Sequence, residues 1–163
     1  MTQPIQIFVT GGTFDKEYNE LTGELFFQST HIHDMLRLGR CHLDVRVECL
    51  MMIDSLQMTD ADRKLILERC VAAGPERIVI THGTDTMEQT ATVLGEAVAG
   101  KTIVLTGAMQ PARFRDSDAV FNIGAAVGAV ASLPHGVYLA MNGRVFDPRR
   151  TRKNREKNRF EEE

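Results

Sequence analysis

The feature that most constrains the fold is the alternation of short apolar runs with longer segments of helical periodicity. Runs rich in β-branched residues, typical of strands, occupy 5–9, 45–52, 77–81, 102–106 and 136–141. Helical patterns occupy 30–38, 59–73, 86–98 and 118–132. Strands that alternate with helices form parallel sheets covered by helices on both faces. We therefore predict an α/β fold with three α/β/α layers around an open, doubly wound, mainly parallel sheet, Rossmann-like or flavodoxin-like.

Local signals support this division. Thr59 stands three residues before Asp62, so its hydroxyl can accept a free N–H while the acid favours the positive end of a helix. Gly74 and Pro75 predict the end of that helix near residue 73. The runs Ile-Val-Ile at 78–80 and Ile-Val-Leu at 103–105 are apolar on both faces, which is typical of buried parallel strands.

Composition excludes several classes of protein. A chain of 163 residues with 43% hydrophobic and 25% charged residues is neither disordered, collagen-like nor a disulfide scaffold. No apolar run approaches the roughly 20 residues of a membrane span, and the first residues do not resemble a signal peptide. The three cysteines form no Cys-x-x-Cys pair, so we expect reduced thiols in a cytoplasmic protein.

Charge is distributed unevenly along the chain. The net charge of −3 argues against nucleic-acid binding by the body of the protein. Residues 149–163, however, carry seven Lys or Arg and four Glu. We expect a domain over 1–148 and a charged tail over 149–163, either helical or disordered, because alternating charges are typical of a solvated segment.

Chemistry in a doubly wound sheet is expected beyond the carboxyl ends of the strands. The loops there are Thr-Gly-Gly-Thr at 10–13, Asp-Ser at 54–55, His-Gly-Thr-Asp-Thr at 82–86 and Gly-Ala-Met at 107–109. Glycines let a ligand approach the backbone, and helix N-termini offer N–H groups to an oxyanion. Each loop alone also fits a structural role, as a tight turn, a helix cap or a buried histidine.

Two classes of ligand are not expected. The Gly-x-Gly-x-x-Gly pattern is absent, so a dinucleotide is not predicted. His31 and His33 are two residues apart and would not share a helix face, so no metal site is predicted there.

The strand-end loops resemble the signatures of the L-asparaginase family. Residues 10–13 are similar to the first signature, and Ile-Thr-His-Gly-Thr-Asp-Thr-Met-Glu at 80–88 is similar to the second. Further similar stretches lie at 54–55, 58–59, 106–109, 117–118, 121–122 and 141–142. The resemblance extends from residue 5 to 153 and concerns the family's N-terminal domain, so we expect a stand-alone member without the smaller second domain.

The resemblance implies hydrolysis of the side-chain amide of L-asparagine to L-aspartate and ammonia, without a metal or cofactor. It implies that Thr13 is the nucleophile, and a threonine hydroxyl needs a base or polarising neighbour. It assigns that help to Thr84, Asp85 and Lys153, since a lysine of lowered pKa can act as a base. The alternative for Lys153 is a solvated surface residue of the basic tail. Tyr18 is assigned to the catalytic loop as the tyrosine nearest the nucleophile.

Substrate contacts also follow from the resemblance. It assigns the α-carboxylate to Ser55 and the α-amino group to Asp85. Gly12, Gly83 and Ala108 complete the predicted binding site, with oxyanion donors from the backbone near Thr84 and Ala108.

Three departures leave other functions open. Leu56 stands where many secreted members carry a glutamine, and the loop that bears Tyr18 is short and acidic. We also expect no second domain, which in the family lends residues to a neighbouring subunit's site, so one wall of the pocket would be open. One alternative is an amidohydrolase for glutamine or another small amide. Another is a protein with little or no activity that binds a small amino acid or serves as an assembly module. The resemblance implies a homo-oligomer, dimer or tetramer, with a small-molecule substrate and neither nucleic acid nor membrane as partner.

Overall fold

The computed structural model describes residues 3–163 and has the predicted α/β fold. The main-sheet strands are β1 (Ile5–Gly11), β4 (Val45–Ile53), β5 (Arg77–Thr81), β6 (Thr102–Thr106), β7 (Gly136–Met141) and β8 (Arg144–Phe146). Two hairpins add β2 (Lys16–Asn19), β3 (Glu24–Phe27), β9 (Thr151–Asn154) and β10 (Arg159–Glu162). The helices are α1 (Ile32–Leu38), α2 (Asp60–Ala72), α3 (Met87–Ala97) and α4 (Ala119–Ser132). None of these helices is long and apolar enough to cross a bilayer.

The main sheet has the order β4-β1-β5-β6-β7-β8. The first five strands are parallel, and only β8 pairs antiparallel, with β7. Numbered by their occurrence along the chain, the parallel strands have the order 2-1-3-4-5, which is the flavodoxin-like arrangement. Its topological switch point lies between β1 and β5, so a crevice opens there beyond the carboxyl ends of the strands.

Helices cover both faces of the sheet, as the doubly apolar strands predict. Alternate residues of one strand enter different cores: Ile7 packs with α1 and α4, whereas Phe8 packs with α2 and α3. Ile123 and Val130 of α4 are buried in the first core, and Ile66 of α2 in the second. The strands that end at the crevice are therefore buried on both sides.

The capping prediction for α2 is confirmed. The Thr59 hydroxyl accepts a hydrogen bond from the Asp62 amide at 3.3 Å, and the Asp62 carboxylate accepts one from the Thr59 amide at 2.7 Å. This reciprocal capping box satisfies two amides of the first turn. The helix ends at Ala72, next to the Gly74-Pro75 pair.

Three β elements depart from the sequence expectations. The loop after the first signature is the hairpin β2–β3, with Tyr18 opposite Leu25. Strand β8 adds an antiparallel edge to the sheet. Residues 151–162 form the hairpin β9–β10 in place of the helix or disorder expected for the tail. These strands are three or four residues long and together rich in charge. They therefore lack the apolar alternation that predicts a strand.

Phe160 anchors the second hairpin. Its side chain is only 4% exposed, and its ring centroid lies 6.3 Å from that of Phe146 in the α2–α3 core. Phe160 is directly opposite Lys153 in the antiparallel register. Directly opposed side chains share one face of a hairpin, so the face that buries Phe160 also directs Lys153 toward the sheet.

His82 joins the loop after β5 to helix α3. Its buried ring lies 2.8 Å from the Gly83 carbonyl through Nδ1 and 2.7 Å from the Thr90 hydroxyl through Nε2. Because a carbonyl can only accept, Nδ1 donates and Nε2 of the neutral ring accepts from Thr90. Burial lowers the pKa of His82 to about 4.

Replacing the anchor of the second hairpin tests its contribution to stability. We expect Phe160→Ala to lower the free energy of unfolding by about 3–5 kcal/mol, because a buried ring leaves a cavity. Phe121→Ala is the matched control, since Phe121 is 64% exposed on α4, and we expect it to cost no more than about 0.5 kcal/mol. Urea denaturation measures both; equal midpoints for the two variants would contradict the anchoring role.

The buried neutral histidine predicts a loss of stability in acid. Between pH 6.5 and 4 the unfolded chain binds a proton at His82 that the folded protein does not, so the free energy of unfolding falls as pH falls. The loss attributable to His82 is about 3 kcal/mol near pH 4. His82→Gln removes the titrating group, and we expect its unfolding free energy to vary less with pH across this window. The same pH slope in both proteins would refute the assignment.

Candidate active site

Lys153 joins the second signature across 69 residues of sequence. Its Nζ donates hydrogen bonds to the Thr84 hydroxyl at 2.7 Å and to Asp85 Oδ1 at 2.9 Å. The Lys153 side chain is 12% exposed and Thr84 is buried, so the contact lies below the surface of the crevice. Arg155 Nε lies 3.8 Å from the same Asp85 oxygen. The structure thus brings together three of the predicted site residues as a hydroxyl, an amine and a carboxylate.

Three strand-end loops touch at positions that carry small residues. A methyl group added at Gly12 would lie 2.5 Å from the Gly83 Cα, and one added at Gly83 would lie 2.5 Å from the Ser55 hydroxyl. The loops after β1, β5 and β4 therefore meet with no space for a side chain between them. Because Thr13 follows Gly12 and Thr84 follows Gly83, both signature threonines lie at this junction.

Thr13 begins a short 3-10 turn that ends at Asp15. Gly12, which precedes it, has a φ of 74° and donates its amide to the Ile53 carbonyl at 2.9 Å. This left-handed φ favours glycine. Thr13 is half-buried, and its hydroxyl makes no hydrogen bond to any residue in 3–163. Its backbone is fixed while its hydroxyl is free.

Ser55 carries a second free hydroxyl at the crevice. The residue is 2% exposed, and its Oγ has no hydrogen-bond partner within residues 3–163. Its carbonyl accepts from the Thr86 hydroxyl at 3.0 Å, which in turn accepts from the buried Arg63 guanidinium at 3.0 Å. A buried hydroxyl without a partner is energetically costly, and a ligand in the crevice could supply that partner.

Ala108, a further predicted residue, lies beside the junction, since a methyl group added at neighbouring Gly107 would lie 2.4 Å from the His82 carbonyl oxygen. Ala108 is buried in the loop after β6. That loop is held by the start of α4, since Asp118, the residue before the helix, accepts from the Met109 amide at 2.9 Å and Asn122 donates to the Gly107 carbonyl at 2.9 Å. In the sequence these two residues were noted only within stretches similar to the family, without a role.

Tyr18 lies outside the junction. It lies on β2 and is 56% exposed, and its hydroxyl forms no hydrogen bond to the described part of the chain. Its predicted catalytic role therefore has no supporting contact in this structure.

Sequence reasoning missed an ion pair at the crevice. Lys16 Nζ lies 2.6 Å from Asp54 Oδ2, and both side chains are partly buried. The hydrogen bond from Lys16 is the main reason that the pKa of Asp54 is lowered, and the charge of Lys153 adds to this effect. Each partner adjoins a predicted site loop, but no motif relates positions 38 residues apart.

A second charged cluster lies beside the 3-10 turn that begins at Thr13. Buried Asp15 accepts from the His31 amide at 2.9 Å and from the Thr30 hydroxyl at 3.2 Å, and burial raises its pKa. Glu17 Oε1 lies 3.2 Å from His31 Nε2, without hydrogen-bond geometry, and 3.5 Å from Arg113 Nε. These contacts fix the start of the β2–β3 hairpin against α1.

Two further features bear on ligand binding. Within residues 3–163, no three His, Cys, Asp or Glu side chains cluster as metal ligands. A separate groove of about 660 Å³ lies between α3 and the β7–β8 edge, and none of the predicted site residues lines it. The candidate site is the crevice at the switch point and not this groove.

Comparison with known proteins identifies the family of the chain. The family model described as Asparaginase, N-terminal matches residues 4–161. The chain is 34% identical over 150 residues to a glutamyl-tRNA(Gln) amidotransferase subunit of Methanococcus maripaludis, covering 88% of this chain and 36% of that protein.

Solved structures give the same result. L-asparaginase I from Vibrio cholerae superposes with a TM-score of 0.88 at 26% identity, over 99% of this chain and 52% of that one. A probable cytoplasmic L-asparaginase from Campylobacter jejuni has a TM-score of 0.81 at 30% identity, over 93% and 49%. The chain spans about a third of the first relative and about half of these structures. The chain belongs to the asparaginase family, as its strand-end loops predict.

Proposed function

We propose that the crevice hydrolyses the side-chain amide of L-asparagine to L-aspartate and ammonia, with Thr13 as the nucleophile. The observation that carries the proposal is the contact of Lys153 with Thr84 and Asp85, next to the loop junction that holds Thr13. These groups supply a nucleophile, a second hydroxyl, an amine and a carboxylate in one crevice. The similarity to structures named L-asparaginase supports the same reaction.

The proposed reaction has two steps. The Thr13 oxygen bonds to the amide carbon, and its proton passes through the Thr84–Lys153 pair to the leaving nitrogen, which departs as ammonia. Water then cleaves the acyl-threonine, which releases aspartate and restores the hydroxyl. The hydrogen bonds of Lys153 to Thr84 and Asp85 support this path for the proton.

The proposed substrate contacts come from the Ser55 hydroxyl, which has no partner within residues 3–163, and from the Asp85 carboxylate, whose Oδ1 already accepts from Lys153. The unpaired Ser55 hydroxyl binds the α-carboxylate, and the Asp85 carboxylate binds the α-ammonium group. Backbone amides of Gly83 and Ala108 stabilise the oxyanion.

A second candidate is an amidohydrolase for glutamine or another small amide. Leu56, next to Ser55, is largely exposed and offers no polar group to the substrate. One relative is named as a subunit of a glutamyl-tRNA(Gln) amidotransferase. The length of the accepted side chain is therefore the property that separates the two candidates.

The proposal includes a cytoplasmic homo-oligomer, a dimer or tetramer. Exposed apolar side chains of the β2–β3 hairpin, Tyr18, Leu21 and Leu25, together with Leu56 beside the crevice, offer surface for a second copy of the chain. The free thiols, and the similarity to a structure named as a probable cytoplasmic L-asparaginase, support the location.

Ammonia release tests the enzymatic proposal. We expect Thr13→Ala, Thr84→Val and Lys153→Met each to lower kcat with L-asparagine by about 100-fold or more, because each removes a group used in proton transfer or bond formation. Thr92→Val is the matched control, since Thr92 is exposed on α3 and its hydroxyl bonds only to its own helix. The control is expected to retain the wild-type rate.

The same assay separates the alternatives. Activity only with L-glutamine would favour the second candidate. If the wild-type protein releases no more ammonia from either amide than the Thr13→Ala variant, the enzymatic proposal fails, and calorimetric binding of L-aspartate would then favour an amino-acid-binding protein.

Light scattering tests the proposed assembly. We expect a mass at least twice the 18.2 kDa of the chain, because the apolar surface beside the crevice would be covered by a neighbour. A single species at the monomer mass, across the concentrations used for kinetics, would refute it.

A further inference from the structure

The β2–β3 hairpin has few internal contacts to stabilise it. Its strands have four residues each and form a two-stranded sheet separate from the main one. Leu21 at its tip is 92% exposed, and Tyr18 is more than half exposed. An isolated two-stranded hairpin is marginally stable in water. Contacts with the body of the protein must therefore determine where the hairpin lies.

The contact on the crevice side is the Lys16–Asp54 ion pair. One carboxylate oxygen of Asp54 accepts from Lys16 Nζ at 2.6 Å. The other accepts from the Leu56 amide at 3.0 Å, in the 3-10 turn that begins at Ser55. A single carboxylate thus joins the first residue of the hairpin to the turn that carries the free Ser55 hydroxyl.

The same lysine also contacts the second strand of the hairpin. Lys16 is paired with Phe27 in the antiparallel register, and its Nζ lies 5.7 Å from the Phe27 ring centroid. A cation at this distance from an aromatic face is attracted to it. Through Lys16, Asp54 therefore holds both strands and not only the first.

The opposite face of the hairpin has its own charged contacts. Glu17 follows Lys16, so their side chains point to opposite faces of the strand. Glu17 lies against His31 and Arg113, on the side of α1. Of the two attachments, only Lys16–Asp54 connects the hairpin to the turn proposed to bind substrate.

We propose that Lys16 and Asp54 form a latch that fixes the β2–β3 hairpin against the Ser55 turn and so positions Thr13 for catalysis. Lys16 is three residues after Thr13, and only the 3-10 turn separates them. Both are positioning residues, since their contacts are with each other and with the two loops. The catalytic consequence rests on the proposed function, whereas the structural latch does not.

Hydrogen exchange in the 163-residue chain tests the latch directly. We expect Lys16→Met and Asp54→Asn each to accelerate exchange of amides 16–27 about fivefold, with amides of β1 and α4 unchanged. Lys16→Arg keeps the charge and is expected to retain wild-type protection. Arg37→Met is the matched control, because Arg37 and Asp34 form a 2.9 Å ion pair in α1 that is exposed and outside the crevice.

A double variant and salt separate a latch from a general loss of stability. If the two residues act as one unit, Lys16→Met/Asp54→Asn should exchange no faster than the faster single variant. Raising NaCl to about 1 M should accelerate exchange of 16–27 in the wild type but not in the double variant. Exchange within twofold of wild type in both single variants overturns the proposal, as does full additivity.

Kinetics with the proposed substrate distinguishes failure of the latch from failure of the function. We expect the single variants to lower kcat/KM about fivefold, with Lys16→Arg restoring it. An inactive wild type would refute the proposed function while exchange still decides the latch. An active enzyme in which Lys16→Met changes neither exchange nor kcat/KM would refute the latch alone.

Discussion

The organisation of this protein depends on a contact between backbones at the switch point of its sheet. Gly83 lies so close to both Gly12 and Ser55 that neither side of the contact tolerates a methyl group. The three loops follow β1, β5 and β4, which are neighbours in the sheet order β4-β1-β5. The flavodoxin-like order places these strand ends together, and the glycines let them touch. Two threonines and a serine from distant parts of the chain thereby share one crevice.

Lys153, which supplies the amine of the crevice, is positioned by a different kind of element. Lys153 is not at the end of a parallel strand but on a short antiparallel hairpin that follows the edge strand β8. Phe160, opposite Lys153, is inserted into the α2–α3 core, so apolar burial fixes the position of a charged group. The high charge of residues 149–163 suggests a solvated tail and gives no sign of this docking. One buried ring among many charged side chains suffices to dock the segment.

The sequence predicted those elements whose patterns are long enough to show a period. The five parallel strands and four helices were identified from apolar runs, caps and glycine stops, and the loops of the crevice followed from the strand ends. Strands of only three or four residues are too short to show such a period, so both hairpins were missed. The pairing of Lys153 with Thr84 was expected only through family resemblance. The Lys16–Asp54 pair could not be expected, because tertiary packing alone brings residues 38 positions apart into contact.

The charges of the crevice form a frame suited to a zwitterion. Lys16 pairs with Asp54 on one side of Ser55, and Lys153 pairs with Asp85 beside Thr84. Asp54 also feels the charge of Lys153, so the two pairs are electrostatically connected. A ligand with a carboxylate and an ammonium group can form charge-assisted hydrogen bonds with these side chains, whereas a neutral amide forms only ordinary hydrogen bonds. Binding would also displace water and strengthen each charge interaction, since the effective dielectric constant falls. For the proposed reaction, these ion pairs then make the crevice selective for amino-acid amides. Leu56 is uncharged, so the shape of the crevice determines which side-chain length is accepted.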